Sequence, residues 1–302
     1  YLRIPEGDAR RDTYAGYMSK WYENKGNNYG NSYWGTYGFG NAYTDDSEWI
    51  ILTLIRMYEA TGVQKYLDAA RKTYEETVIA RWTDDENGGG IRWSFDAENS
   101  KNACSNGPGA LCAMRLWANS PEGAERDQYL ADAKKIYNWL SSTLYNPLTG
   151  AVSDNMKNGV INGGALTYNQ GTFMGAAHEL YKATGDESYL KDAQRTAAAC
   201  YDYFFEEFTP ADGEAFRIIR KGNVWFSAVM VRGLVELYGI DGNAAYVDAV
   251  QRSLDYAWDH ARDGRGLFET DFTGADKQAE KWLLTQGAMA EMYGRMSGVG
   301  LK

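Results

Sequence analysis

Residues 43–49, Tyr-Thr-Asp-Asp-Ser-Glu-Trp, place two adjacent carboxylates directly before an apolar helical run. Side chains that follow each other at a helix start diverge by about 100°, because an α-helix has about 3.6 residues per turn. Asp45 and Asp46 can therefore be splayed into one cleft, where one carboxyl keeps its proton while the other ionises. Retaining glycoside hydrolases use such a pair, with the carboxyls about 5–5.5 Å apart. A structural alternative exists, because Asp45 and Glu48 also match a helix capping box.

Amides and aromatic rings stand at the starts of the other apolar helical patterns, where few lysines occur. Flat rings stack on the C–H faces of sugars and amides bind hydroxyl groups. The structural alternatives are helix capping by the amides and, for the carboxylate-rich segment 84–93, a solvated turn. The candidate substrate-binding residues are Trp49, Trp93, Asn102, Asn106, Tyr168, Asn169, Gln170 and Trp225.

The composition indicates a globular protein and argues against binding of nucleic acid. The chain has 302 residues, 44% of them hydrophobic and 14% aromatic, and a net charge of -10. Phosphate backbones attract Lys and Arg, so this charge argues against nucleic acid as a partner. No apolar run reaches membrane-spanning length.

Only two histidines and three cysteines occur, so we expect no metal site, no cofactor and no disulfide framework. The cysteines are expected to be buried, and His178 to be a satisfied core residue.

A sequence phrase recurs six times at intervals of roughly 55–64 residues and predicts a helical hairpin array. Clear copies occupy residues 58–70, 181–193 and 238–249. In each copy a helix ends at Thr-Gly or Asp-Gly, where Gly supplies a left-handed cap, and a second helix opens near a Tyr. Small residues mark the first helices, which suits a tightly packed inner layer, and the second helices carry charge as an outer layer would.

The count of hairpins predicts an all-α fold, a closed ring of six helical hairpins that forms a single domain over residues 1–302. Six first-helix ends but only five second helices occur, so we expect the natural chain to supply the first inner helix upstream of Tyr1, together with any secretion signal. An open solenoid is the alternative. The loops at 25–44, 82–104, 145–169, 207–223 and 262–277 all precede a first helix, and we expect them to gather on one face.

The chain resembles glycoside hydrolase family 76, the endo-α-1,6-mannanases. The resemblance rests on Tyr-Thr-Asp-Asp-Ser-Glu-Trp at 43–49, Gly-Gly-Ile-Arg-Trp at 89–93, Lys-Asn-Ala-Cys-Ser-Asn-Gly-Pro at 101–108 and Tyr-Asn-Gln-Gly-Thr at 168–172. It implies an (α/α)6 barrel that cleaves α-1,6-mannan with retention of configuration. Carried onto this chain, Asp45 resembles the nucleophile and Asp46 the general acid/base. The departure from the family is the missing first inner helix.

The resemblance also implies the setting of the protein. The partner would be a polysaccharide or oligosaccharide, bound by a monomer that is secreted, periplasmic or on the cell surface. Alternatives are a mannan-binding or transglycosylating relative, or another (α/α)6 sugar hydrolase. An epimerase would need paired histidines near the cleft, and an unsaturated-uronide hydrolase would need basic loops. The sequence offers neither.

Overall fold

The computed structural model describes residues 1, 4–24, 38–85, 88–96, 100–211 and 213–300. Most of the predicted loop 25–44 lies outside these residues, as do Leu2 and, in the segment 84–93, Glu86 and Asn87. The described helices are α1 (Ala9–Glu23), α2 (Thr44–Thr61), α3 (Gln64–Thr77), α4 (Ala103–Ala118), α5 (Ala124–Thr143), α6 (Thr167–Thr184), α7 (Glu187–Phe204), α8 (Val224–Asp241), α9 (Ala245–His260) and α10 (Leu283–Met296).

The predicted succession of helical hairpins is confirmed at its turns. Helices α2, α6 and α8 each end at a glycine with positive φ, namely Gly62 at 70°, Gly185 at 73° and Gly242 at 68°. Each glycine N–H donates to the carbonyl four residues before it, and a second helix starts within a few residues. A residue with a Cβ is strained in this left-handed region, so the Thr-Gly and Asp-Gly pairs fix where the first helices stop.

The first compact unit comprises residues 1–144 and 154–163. Helix α2 packs against α3 and α4, and α4 packs against α5. A small antiparallel sheet orders β1 (Ser100–Asn102), β2 (Asn155–Lys157) and β3 (Val160–Asn162), and β1 runs directly into α4. Helix α4 is buried over most of its length, whereas α1 has no buried residue, as expected for first and second helices of the hairpins.

The second compact unit comprises residues 145–153 and 164–302. Helices α6 and α8 approach closely at two glycines, because a Cβ on Gly171 would overlap the carbonyl of Val229 and one on Gly233 would lie 2.8 Å from the oxygen of Gly171. The strands β4 (Phe205–Phe208) and β5 (Phe216–Ile219) form a hairpin. The small residues of the first helices therefore allow tight helix packing, as predicted.

Two further expectations concern the chain as a whole. The three cysteines are buried and unpaired, which confirms their predicted role as small core residues. Within the described ranges, no helix is both long enough and apolar enough to cross a membrane. The interpretation of residues 1–302 as a single domain stays a prediction.

Candidate active site

The Asp pair lies inside the first turn of α2. The helix begins at Thr44, and Tyr43 is its N-cap, with an extended backbone and no side-chain capping bond in the described part of the chain. The capping-box interpretation is therefore wrong, since Asp45 is a helical residue and the side chain of Glu48 is buried, away from the cap. Two carboxylates in a first turn are favoured by the positive end of the helix dipole.

The backbone that leads into the pair is held by a buried arginine. Arg81 donates hydrogen bonds to the carbonyls of Asn41 (2.7 Å) and Ala42 (3.1 Å) and to the hydroxyl of Thr44 (3.0 Å). Its side chain is only 7% exposed, so these bonds are shielded from water. The guanidinium fork thus fixes three points of the segment immediately before Asp45.

A second set of bonds ties the same segment to residues 92–95. Thr44 donates its N–H to the carbonyl of Trp93 (2.8 Å) and its hydroxyl to the carbonyl of Arg92 (2.7 Å). The N–H of Phe95 donates to the carbonyl of Ala42 (3.1 Å). These non-local bonds explain why α2 begins at Thr44, because they give its N–H and hydroxyl hydrogen-bond partners outside the helix.

Burial and mutual repulsion govern the ionisation of the pair. Asp45 is partly buried, and this burial, followed by the negative charge of Asp46, raises the pKa of Asp45 to about 6. Hydrogen bonds from the Cys104 thiol and from nearby backbone N–H groups lower the pKa of Asp45, but by less than burial raises it. Partial burial also raises the pKa of Asp46, which is the more exposed of the two. The net shift in the pKa of Asp45 is upward, because desolvation outweighs the hydrogen bonds to its carboxylate.

Aromatic rings lie beside the pair. The ring of Trp93, half-buried, lies 4.9 Å from the ring of Tyr43, which is 44% exposed at the helix start. Trp49 follows Asp46 by three residues on α2, which places both on one side of the helix. The structure thus places Trp93 against the start of α2 and Trp49 on the same helix as the Asp pair.

Asn102 and Asn106, the other predicted binding residues of this unit, are engaged within the protein. Asn106 is fully buried; its Oδ1 accepts the N–H of Ile91 (2.8 Å), and its Nδ2 donates to the carbonyls of Ile91 (3.1 Å) and Asn102 (2.9 Å). The side chain of Asn102 accepts the hydroxyl of Ser100 (2.7 Å) at the start of α4. Asn106 therefore clamps the loop that carries Trp93, and we propose no direct sugar contact for it.

The second unit repeats this amide clamp. Gln170, near the start of α6, accepts the N–H of Val152 (2.8 Å) and donates to its carbonyl (2.9 Å). Gln286 in α10 makes the same pair of bonds to Phe268, at 2.8 and 3.0 Å. The amides were expected either to cap helices or to bind sugar; instead they hold each preceding loop against the next helix, a non-local role that sequence reasoning missed.

The remaining predicted binding residues lie at the helix starts of the second unit. The ring of Tyr168 lies 4.1 Å from the ring of Phe226 and 6.2 Å from that of Trp225, and Trp225 is half-buried. Asn169 is almost fully buried in the first turn of α6. The structure therefore places Tyr168 and Trp225 together in one aromatic cluster.

Lys101 is a buried cation to which the sequence pattern assigns no role. Its side chain is fully buried, and Nζ donates to the carbonyls of Thr83 (2.9 Å) and Gly89 and to Asp85 Oδ1 (2.8 Å). Lysine is rarely buried unless paired. Lys101 thus holds together the turn before Trp93. In the sequence, only its position at the edge of a polar motif indicated a structural role.

His178 belongs to a charged group in the second unit. It is 1% exposed, which confirms its predicted place in the core; its Nε2 lies 3.0 Å from Glu236 Oε2, and its Nδ1 lies 3.5 Å from Glu179 Oε1 without a hydrogen bond among the described residues. His178, Glu179 and Glu236 form a group in which one side-chain nitrogen or oxygen of each residue lies within 4.8 Å of the others. Both carboxylates already have cationic neighbours, Lys182 at 3.2 Å from Glu179 and Arg295 at 3.6 Å from Glu236. The cluster therefore fits an ion-pair network.

Comparison with known proteins identifies the family to which the chain belongs. Residues 5–215 match the sequence profile of the family described as glycosyl hydrolase family 76. The chain belongs to glycosyl hydrolase family 76. Members with solved structures include the mannosidase Bt3792 of Bacteroides thetaiotaomicron VPI-5482, which is 30% identical, with a TM-score of 0.79 over 84% of this chain and 70% of that chain. The likeness confirms the predicted fold class of family 76, the all-α (α/α)6 barrel.

Further relatives are mannan-cleaving by name. The α-1,6-mannanase GH76A of Salegentibacter sp. HEL1_6 is 29% identical, with a TM-score of 0.74 over 88% of this chain and 78% of that chain. The mannan endo-1,6-alpha-mannosidase DFG5 of Candida albicans is 30% identical over 146 residues, which is 43% of this chain and 31% of that protein. The chain therefore spans about a third of the length of that curated relative.

Proposed function

We propose that this protein is a glycoside hydrolase that cleaves α-1,6-mannosidic linkages within mannan. The observation that carries the proposal is the Asp pair in the first turn of α2, held by Arg81 and flanked by Trp93. A related protein supports it. A variant of the Salegentibacter mannanase with two adjacent aspartates changed to asparagine is inactive and was solved with α-1,6-mannotriose. The adjacent aspartates of this chain's helix start are Asp45 and Asp46.

The proposed reaction is a double displacement. Asp45 attacks the anomeric carbon while Asp46 protonates the leaving oxygen, which forms a covalent mannosyl-enzyme and releases the first product. Asp46 then takes a proton from water, which attacks the same carbon and frees Asp45. The two inversions together retain configuration. Protein carboxyls and water supply every group that this reaction needs, so no cofactor is proposed.

The raised pKa of Asp45 bears on these roles. A pKa of about 6 lets Asp45 hold a proton in mildly acid solution, which suits an acid, whereas the family resemblance favours it as the nucleophile. We assign Asp45 as nucleophile because a pKa of about 6 leaves it ionised at neutral pH, and its partial burial keeps the anion poorly solvated and reactive.

The acid side of the pH profile tests the ionisation of Asp45. A nucleophile must be ionised, and the pKa of Asp45 lies near 6 rather than near the ordinary value of about 4. We therefore expect kcat/KM to fall tenfold per pH unit below about pH 6, because kcat/KM reports ionisations of the free enzyme. Initial rates on α-1,6-mannan between pH 3.5 and 8 measure it. A profile that stays flat down to about pH 4 would contradict the role.

The aromatic side chains supply proposed sugar contacts. Trp93 and Trp49 are proposed to form platforms beside the pair, and Tyr168 and Trp225 stay candidate sugar contacts at the starts of α6 and α8. Asn102 and Asn169 stay candidates at the starts of α4 and α6. Gln170 is placed with Asn106, as a clamp that shapes the loops. We further propose that residues 1–302 act as one catalytic domain, that the protein is a monomer, and that it works outside the cytoplasm, where mannan is met.

Incubation with defined mannans tests the function. Wild-type protein should release α-1,6-mannooligosaccharides from unbranched α-1,6-mannan and leave α-1,2- and α-1,3-linked mannooligosaccharides intact. Oligosaccharides of mixed length as first products would show endo action. The double variant Asp45→Asn, Asp46→Asn should bind mannotriose without cleavage. Binding without cleavage by the wild type would instead indicate a mannan-binding relative, and products longer than the substrate would indicate transglycosylation.

A further inference from the structure

Glu48 is a fully buried carboxyl without a hydrogen-bond partner among the described residues. Its side chain is 0% exposed, and neither Oε1 nor Oε2 has a donor within reach. Other buried carboxyls of the chain are paired: Glu269 accepts from Lys281 and Gln278, and Asp132 accepts from Gln128. Because buried polar groups are normally satisfied, an orphaned carboxyl requires an explanation.

Glu48 lies one helical turn after Asp45 on α2. Residues three apart share a helix face, and Asp45 has its own orphaned atom, Oδ1, which is buried and lacks a partner in the described chain. The titratable and charged groups that act on Glu48, or on which it acts, come from four elements: Asp45 on α2, Tyr74 on α3, Arg81 in the turn after α3, and Cys104 and Cys112 on α4.

Helix α4 leaves room for this carboxyl by having a glycine opposite it. A Cβ on Gly109 would lie 2.9 Å from Glu48 Oε1 and 2.8 Å from Cδ1 of Ile91. Glycine inside a helix is destabilising relative to alanine, so its presence there needs a packing reason. The space that Gly109 leaves is filled in part by the Glu48 carboxyl, which therefore occupies a fitted position.

A carboxyl in these surroundings keeps its proton. Burial, and then the negative charge of Asp45, raise the pKa of Glu48 well above its usual range, and Arg81 opposes this only in part. The nitrogens of Arg81 that donate hydrogen bonds are directed to residues 41, 42 and 44 rather than to Glu48. A neutral carboxylic acid, unlike a carboxylate, has an O–H group that can donate a hydrogen bond. Asp45 Oδ1 has no donor to accept from among the described residues.

We propose that Glu48 is a positioning residue of the Asp pair: a buried neutral acid whose O–H donates to the buried oxygen of Asp45 and stabilises that nucleophile as an anion. One proton then satisfies an oxygen on each side chain. The proposal deepens the function proposed above and rests on it for the role of Asp45.

Two variants of Glu48 separate this role from space filling. Glu48→Gln keeps a donor of the same length, whereas Glu48→Met has similar length and no donor. A hydrogen bond to a charged group contributes roughly 1.5–3 kcal/mol, or about one pH unit or more in a titration midpoint. We expect Glu48→Met to move the titration midpoint of Asp45 up by about one pH unit and Glu48→Gln to leave it nearly unchanged. The acid limb of kcat/KM should move in parallel.

Carbon-13 NMR of the side-chain carboxyls gives this readout without mannan, with the Asp45 signal identified by its loss in Asp45→Asn. Equal midpoints in all three proteins would show that Glu48 only fills space, and a lower midpoint in both variants would show that it is ionised in the wild type; either overturns the proposal. An ionised Glu48 signal at pH 7 also overturns it, even if Glu48→Met does not fold. Failure to cleave mannan with the expected NMR shifts would refute only the function.

Discussion

Replacement of Asp45 or Asp46 by alanine is expected to reduce kcat on α-1,6-mannan by about 10³-fold or more. Each variant removes a group that forms or breaks a bond in the transition state, and losses of this size correspond to about 4 kcal/mol. Sodium azide distinguishes the roles when an activated mannoside is the substrate. In Asp45→Ala, azide should replace the nucleophile and give the β-mannosyl azide. In Asp46→Ala, azide should attack the covalent intermediate and give the α-mannosyl azide. The reverse pairing of products would exchange the two roles.

The stability of Asp45→Asn is the control for this loss. The pKa of Asp45 is raised to about 6 in the folded protein, compared with about 4 in an unfolded chain. The folded state therefore binds the proton more tightly, and the free energy of unfolding falls as pH rises from about 4 to 6. Above pH 6 the cost is fully present, so Asp45→Asn should raise the free energy of unfolding at pH 7 by roughly 1–2 kcal/mol. A variant that is both inactive and unstable would point to misfolding.

Replacement of Arg81 by methionine is expected to lower kcat by roughly 10- to 100-fold and the free energy of unfolding by about 3 kcal/mol. The guanidinium fixes the segment before the Asp pair by three hydrogen bonds, and displacement of a catalytic group by about 1 Å can cost 10²-fold in rate. Loss of one partner from a buried charged network accounts for the stability effect. Steady-state kinetics and urea unfolding measure the two quantities.

Arg217 provides a matched control in the second unit. It also donates to three backbone carbonyls, those of Tyr201, Asp202 and Phe205, but these precede no catalytic candidate. Arg217→Met should lower stability while leaving kcat of the folded protein near the wild-type value. Equal losses of kcat in both variants would show that the effect of Arg81 is general destabilisation, and Arg81 would not be a positioning residue.

Features that depend on nearby residues follow from the sequence alone. The repeated Thr-Gly and Asp-Gly pairs determine where α2, α6 and α8 end, because the left-handed cap needs only a glycine at the right position. The same periodicity identifies the small-residue faces that bring α6 and α8 together at Gly171 and Gly233. The placement of Asp45 and Asp46 in a first helical turn likewise followed from the pattern of residues around them.

Features that depend on distant partners were decided only by the tertiary structure. Asn106 and Gln170 have the same chemistry whether they bind sugar or clamp a loop, and only the positions of Ile91 and Val152 give them the second role. Glu48 matched a capping residue by spacing, yet packing against Gly109 buries it. The pKa of Asp45 rises because desolvation is a property of everything that surrounds a carboxyl, whereas a sequence pattern shows only its neighbours along the chain.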